Sequence, residues 1–281
     1  MIIGIIGNGF VGRATCLLES SQTKILIYDE VKSLCSPSIN SLSDLKISDI
    51  VFISVPTPYN RKEGRCHTEI VEQVVHQLRV DIGYEGFIVI RSTVPPGMCD
   101  KLGCYFMPEF LTEKNYISDF VNNPNWIFGL LGKNEQDDYV FRELIHKLIE
   151  TSSKLKYKNI IFTSNKEAEI VKYFRNTYLA LKVSVCNEIN EYCEQMGVNY
   201  ENVRSVFVKD PRISESHTSV PGPDGYKGFG GTCFPKDLNS LIKEMENSDV
   251  NPLILKAVCY RNSNIDRNER DWEKDINRSV V

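Results

Sequence analysis

The decapeptide Gly228-Phe229-Gly230-Gly231-Thr232-Cys233-Phe234-Pro235-Lys236-Asp237 sets one cysteine behind a glycine cluster, with a cation and a carboxylate three and four residues beyond it. Backbone N–H groups and a nearby cation favour the thiolate, the form of cysteine that attacks a carbonyl carbon. A structural turn is the competing account of the same residues. Lys172 and Asn176 lie four apart in an otherwise apolar helical pattern and therefore share a helix face. Together they could hold an oxyanion, or be a snorkelling lysine beside a satisfied surface amide. Glu109 and Glu113, also four apart, follow Pro108. They read either as one face of a first helical turn, where the dipole favours carboxylates, or as a water-activating pair. Arg212, after Asp210-Pro211, is a candidate anion contact.

A second set of residues points to a cofactor. Gly7-Asn8-Gly9-Phe10-Val11-Gly12 follows the apolar run Ile2–Ile6 and precedes a helical stretch. In that setting the first glycine permits a tight turn, the second lets the backbone approach a pyrophosphate, and the third lets helix and strand pack closely. Asp29 ends the next apolar run about 20 residues on, where a carboxylate accepts from ribose hydroxyls and repels a 2′-phosphate. NAD is therefore expected rather than NADP, with Lys32 nearby working the other way. Thr57 and Thr93 follow further strands, at the edge where doubly wound sheets bind ligands. Ordinary capping hydroxyls are the plainer account of either threonine alone.

The whole composition narrows the classes. A chain of 281 residues with 42% hydrophobic and 25% charged residues is long enough for two domains. Lys plus Arg number 33 against 37 Asp plus Glu, a formal net charge of -4 that offers no case for nucleic acid or an anionic membrane. The nine cysteines are scattered without a Cys-x-x-Cys pair, and the four histidines form no ligand set. No metal is expected, and a reducing cytoplasm fits. Met1 to Ile6 is too short for a signal peptide, and no run reaches the roughly 20 apolar residues of a membrane span.

Positioning these groups calls for two kinds of element. Residues 2–6, 24–28, 49–55, 87–90, 104–107 and 126–130 read as short apolar strands, with helices over 13–19 and 68–80, which predicts a parallel sheet covered on both faces. From residue 164 the pattern changes. Ile170, Phe174, Thr177, Leu181, Val185 and Ile189 recur at helical spacing, predicting a helix over 164–196 that stops at Gly197. A helix of that length suits a domain bridge or a subunit interface. Further helices are expected over 200–207, 238–245 and 252–261. The Gly/Pro-rich stretch 221–231 reads as a binding loop, and the charged tail 262–278 as exposed or disordered. The expected architecture is α/β: a Rossmann-like doubly wound parallel sheet over 1–163, then an all-helical domain over 164–281 that carries the cysteine loop.

Seven blocks in order resemble the UDP-glucose/GDP-mannose dehydrogenase family: Gly-Asn-Gly-Phe-Val-Gly at 7–12, Val-Pro-Thr-Pro at 55–58, Ser-Thr-Val-Pro-Pro-Gly at 92–97, Pro-Glu-Phe-Leu-Thr-Glu at 108–113, Lys-Tyr-Phe-Arg-Asn-Thr-Tyr-Leu-Ala at 172–180, Asp-Pro-Arg-Ile at 210–213 and the decapeptide at 228–237. The resemblance implies a cytoplasmic enzyme of polysaccharide precursor synthesis. Such an enzyme oxidises the C6 alcohol of a nucleotide sugar, UDP-glucose foremost, to the carboxylate with two NAD per turnover. By the same resemblance Cys233 is the nucleophile that forms a thiohemiacetal and then a thioester. Lys172 and Asn176 stabilise the oxyanion, Asp237 and Thr93 position a water, and Glu113 serves thioester hydrolysis. Glu109, Phe110, Leu111, Gly228, Gly230 and Lys236 line the substrate, and Arg212 reaches the substrate of a neighbouring subunit. The implied cofactor contacts are Gly7, Gly9, Phe10, Val11, Gly12, Asp29, Thr57, Thr93, Glu113 and Lys236, and the implied assembly is a homodimer through helix 164–196. Family members continue into a third, nucleotide-binding domain, for which the residues after Asp237 leave no room. A separate chain supplying that domain, a non-catalytic NAD-binding subunit, and a dehydrogenase of a smaller alcohol are the alternatives this departure leaves open.

Overall fold

Valine, isoleucine and phenylalanine dominate the short runs of the N-terminal half, and residues of that shape favour a pleated, buried surface. The computed structural model describes residues 1–39, 41–274, 276 and 280–281. Its strands are β1 (Ile2–Ile6), β2 (Lys24–Tyr28), β3 (Ile50–Ile53), β4 (Tyr59–Asn60), β5 (Arg65–Cys66), β6 (Phe87–Ile90), β7 (Tyr105–Phe106), β8 (Asn125–Leu130) and β9 (Asn159–Ser164). Its α-helices are α1 (Phe10–Thr15), α2 (Glu69–His76), α3 (Met98–Leu102), α4 (Tyr116–Val121), α5 (Glu135–Thr151), α6 (Asn165–Gln195), α7 (Tyr200–Phe207), α8 (Phe234–Asn247) and α9 (Leu253–Arg261).

The chain packs as two compact units, residues 1–57 with 68–172, and residues 58–67 with 173–281. The first is built on a seven-stranded sheet of order β2-β1-β3-β6-β7-β8-β9. Neighbouring strands run parallel, except where β7 meets β8 antiparallel through Phe106 and Gly129. A departure from the all-parallel expectation thus falls on the shortest strand of the sheet. Alternate side chains face opposite ways. Ile3, Ile5, Phe52 and Val89 pack with Ala14 of α1, Phe120 of α4, and Phe141 and Ile145 of α5. On the other face Val51, Ile53, Ile88 and Ile90 pack with Val71 and Val75 of α2 and Cys99 of α3. Each such side chain, fully buried, contributes about 2 kcal/mol. Because β1 has β2 on one side and β3 on the other, the chain reverses direction across the sheet at β1. The loops after these strands sit at the switch point where open α/β sheets take ligands.

Besides the short α3, α4, β4 and β5, two longer elements have no counterpart among the sequence expectations. One is α5, whose Asn134 side chain accepts from the Gln136 N–H at 2.9 Å and whose Phe141, Ile145, Leu148 and Ile149 are buried at helical spacing. The other is β9, which pairs with β8 along its whole length.

The second unit gathers α6 from Tyr173 onward, α7, α8, α9 and the β4–β5 hairpin, with Ala180, Phe229, Leu238 and Val258 at its centre. Gly197 ends α6 at φ 67°, a left-handed turn that glycine adopts without a Cβ penalty. The tail corrects an expectation. Instead of being exposed throughout, the tail packs onto the loop 224–230 through Asn262, Asp266 and Arg267. Both polar atoms of the Asn262 amide bond the Phe229 backbone, at 2.8 and 2.9 Å. Arg267 pairs with Asp224 and Asp271 and lies over the Tyr226 ring. Much of the charge of this segment is therefore paired within the fold. The remainder of the tail expected to be exposed or disordered, at 275, 277 and 278, lies outside the described residues.

Candidate active site

In the first unit the glycine loop follows β1. A Cβ on Gly12 would sit 2.0 Å from the Gly7 carbonyl oxygen, so close packing of α1 on the loop demands glycine there. Gly9 differs: a Cβ there would meet nothing within 4 Å, and its φ of -68° suits any residue. The protein's own packing gives no reason for glycine at position 9, whereas close approach of a ligand does. Asp29, at the end of β2, accepts from Asn8 N at 2.8 Å and from Val31 N at 2.9 Å, which fixes its carboxylate beside the loop. Open backbone at Gly9 together with a fixed carboxylate after β2 fits NAD. The Gly7–Gly12 backbone would lie against the pyrophosphate, and Asp29 would take the ribose hydroxyls. Phe10 and Val11 open α1. Thr57 and Thr93, both buried, follow the paired strands β3 and β6.

Past β7, Glu109 is buried at 7% exposure and receives Lys172 Nζ at 2.5 Å and Leu111 N at 2.9 Å. Lys172, 2% exposed, comes from α6. Burial pushes the Glu109 carboxyl up, but Lys172, the Leu111 N–H and Arg91 outweigh it and hold the group below the usual carboxylate range. Arg91 directly follows β6, donates to the Thr15 hydroxyl and to Val11 O, and is drawn down by burial to about 10, with Glu109 opposing. Phe110 and Leu111 follow in irregular chain, half-buried. Glu109 and Glu113 do not share a helical turn, because α4 begins only at Tyr116. Glu113 is exposed where Glu109 is buried.

In the second unit Cys233 is the N-cap residue of α8, half-buried, with Pro235 in the first turn. The Asp237 N–H closes the first helical bond onto the Cys233 carbonyl at 2.9 Å. Asp237 is 0% exposed, and its two oxygens receive Lys236 Nζ and Asn176 Nδ2, each at 2.6 Å. Burial works against the charge of Lys236. Asp237, then the sulfurs of Cys66 and Cys233, outweigh it and hold the ammonium well above the ordinary lysine value. Cys66, from β5, lies 3.8 Å from the same Nζ. Gly228 and Gly230 precede this turn. The Gly228 N–H donates to Asn187 Oδ1 at 3.2 Å, and a Cβ on Gly230 would lie 2.6 Å from the Arg267 guanidinium carbon.

Arg212 projects outward with its side chain 86% exposed, paired with its own Asp210. Burial raises the thiols of Cys16 to about 11 and of Cys104 to about 12, and also raises Cys99 and Cys259, as expected of cysteines that only pack. All nine cysteines are thiols. Among the described residues there is no cluster of three or more metal-ligating side chains, and no helix long and apolar enough to cross a membrane.

Three neighbours of these groups escape sequence reasoning: Arg91, which acts on Glu109 in the first unit, and in the second Cys66 and Tyr173, whose hydroxyl lies 3.4 Å from the Cys66 sulfur. Arg91 does adjoin the Ser-Thr-Val-Pro-Pro-Gly block, and Tyr173 lies within the block at 172–180, so position beside those motifs was an available signal. Cys66 has none, because its hairpin joins the second unit only through tertiary packing.

A doubly wound sheet with a glycine loop and acidic strand end defines a dinucleotide-binding unit, here followed in the chain by helices that carry a cysteine turn. Two models of the UDP-glucose/GDP-mannose dehydrogenase family match the chain: the family's NAD binding domain over residues 37–149 and its central domain over residues 166–264. The chain belongs to that family. It is 32% identical over 225 residues to a UDP-glucose 6-dehydrogenase of Rickettsia prowazekii, a match covering 76% of this chain and 49% of the relative. The chain thus spans about half the length of the curated relatives it matches. In fold it is similar to a UDP-glucose dehydrogenase from the archaeon Pyrobaculum islandicum, with TM-score 0.79, 23% identity, and coverage of 93% of this chain and 68% of that one. The 3-hydroxyisobutyrate dehydrogenase of Mycobacterium tuberculosis shares the fold at TM-score 0.70 and 14% identity, covering 96% of this chain and 95% of that one.

Proposed function

We propose that this chain takes part in NAD-dependent oxidation of the C6 alcohol of a nucleotide sugar, UDP-glucose foremost, to the carboxylate. The observation that carries this reading is the head of α8, where Cys233 is followed three and four residues on by the buried Lys236–Asp237 pair that Asn176 completes. A half-buried thiol beside a firmly protonated lysine is suited to attack an aldehyde. That attack joins sulfur to carbon and leaves an alcohol-like tetrahedral carbon that can be oxidised once more. NAD, when bound, supplies the hydride acceptor for both oxidations. The resulting thioester then yields the carboxylate and the thiol on reaction with water. Lys172 is the cation assigned to the developing oxyanion, Asp237 and Thr93 orient the water, and Glu113 assists thioester hydrolysis. Arg212, exposed on its turn, is assigned to the substrate of a second copy in a homodimer formed through α6.

The test is the stoichiometry of NADH per substrate over a panel of nucleotide sugars and short hydroxy acids. Two NADH per nucleotide sugar is the expected result, with Cys233→Ala producing no carboxylate. One NADH with a preference for a short hydroxy acid selects the smaller-alcohol alternative. Absence of turnover on every member, with NAD binding intact, removes the enzymatic reading for the isolated chain.

A further inference from the structure

We propose that Cys66 and Lys236 form a covalent modification site, in which dioxygen places a single oxygen atom between the cysteine sulfur and the lysine nitrogen. The two side chains come from distant parts of the sequence, β5 and the first turn of α8, and both belong to the second unit. Cys66 is 2% exposed, Lys236 is 7% exposed, and Sγ and Nζ are 3.8 Å apart. A closing movement of about one bond length would let one oxygen span them. Ser240 Oγ at 3.1 Å and Tyr173 Oη at 3.4 Å flank the sulfur and hold it in place. Asp237 Oδ1, 2.6 Å from Nζ, is positioned to accept the proton that nitrogen must shed. The polar neighbours of the sulfur include a lysine, a tyrosine and a serine, and of these the lysine is the one a single oxygen can join to it. Burial keeps bulky thiols away from the pair, so the oxidant it calls for is as small as dioxygen.

The chemistry balances. A thiol, an ammonium group and one dioxygen give the sulfur–oxygen–nitrogen link, one water and one proton. One S–H and two N–H bonds break, S–O and O–N bonds form, and the second oxygen leaves as water. Sulfur and nitrogen each give up two electrons, and dioxygen takes up all four. Once bridged, Lys236 no longer presents an ammonium to Asp237 and Cys233. The oxidised chain would then lose the cation that favours the Cys233 thiolate, and a reducing thiol would restore it. This last consequence rests on the proposed function, while the link itself does not.

The experiment is peptide mapping by mass spectrometry of the whole chain, held in oxygen-saturated buffer and then treated with dithiothreitol. The expected product joins the peptides containing Cys66 and Lys236, with a mass greater by one oxygen and smaller by two hydrogens. Dithiothreitol should reverse the link, and Cys66→Ser and Cys66→Ala should both lack it. Dehydrogenase activity of the wild type should fall at least tenfold on oxidation and recover on reduction, with both variants resistant. Unlinked peptides after full exposure, or Cys66 recovered as a sulfinic acid or a disulfide, overturn the site. A linked chain with undiminished activity overturns its effect on Cys233.

Discussion

At Glu109, burial and charge compete within one side chain. Desolvation raises its pKa, and Lys172, the Leu111 N–H and Arg91 together lower it further than burial raises it. A carboxyl whose folded pKa lies below its unfolded value adds stability that is fully present above the unfolded value, 4.5, and is lost as pH falls through the folded value. Glu109→Gln places an amide against a buried ammonium and is expected to cost about 3 kcal/mol near neutral pH. That difference from wild type should shrink as pH drops below 4.5, because the wild type then loses its own charge pair. Urea denaturation of both proteins from pH 7 to pH 3 checks this. A pH-independent difference would show that Glu109 acts by shape alone. Little of this was legible beforehand. Lys172, Asn176 and Asp237 are visible as types at a spacing, but Lys172 meets Glu109 across 63 residues of chain and Asn176 meets Asp237 across 61. No local pattern encodes such partnerships; only the packed fold reveals them.

At the scale of elements, the glycine loop separates two demands that the fingerprint states together. Gly12→Ala would drive a Cβ to 2.0 Å from a backbone oxygen, where nothing flexible can yield. A cost of at least 2 kcal/mol is expected, with a lower melting temperature and weak NAD binding together. Gly9→Ala meets open space at an ordinary φ, so stability should hold or rise by about 0.5 kcal/mol through the unfolded chain. NAD affinity should nevertheless fall at least tenfold, read by titration calorimetry beside thermal melts. Equal NAD affinity in Gly9→Ala and wild type would remove the cofactor assignment of this loop. The strand–loop–helix sequence was legible because apolar runs and glycine punctuation are local signals. By contrast, α5 is not legible in the sequence although its buried residues keep helical spacing, since Tyr139 and Val140 on its exposed side blur the apolar pattern. The charged tail misled for the opposite reason. Composition counts the charges of Arg267 and Asp271, and cannot register that they neutralise each other within the fold.

At the scale of the whole molecule, the assembly proposed through α6 turns on a stripe of side chains. Phe174, Tyr178, Val185, Ile189, Tyr192 and Met196 recur at helical spacing and all remain exposed, Phe174 at 65% and Tyr192 at 62%. At about 100° per residue these six fall within one narrow sector of the helix. A contiguous apolar stripe of this kind on a water-facing surface marks an interaction site, and a second copy brings the identical stripe to a two-fold contact. Wild type is accordingly expected to sediment at twice the chain mass in the micromolar range. Val185→Glu combined with Tyr192→Glu would bury four carboxylates per dimer and should yield monomers whose melting temperature is little changed, because neither side chain serves the core. Arg212→Ala probes a different consequence. Its guanidinium faces outward against Asp210 and is assigned to the other copy's substrate, so this variant should keep the dimer and raise KM at least tenfold. Wild type found at single-chain mass, or an Arg212→Ala dimer with unaltered KM, would separate the exposed stripe from substrate binding.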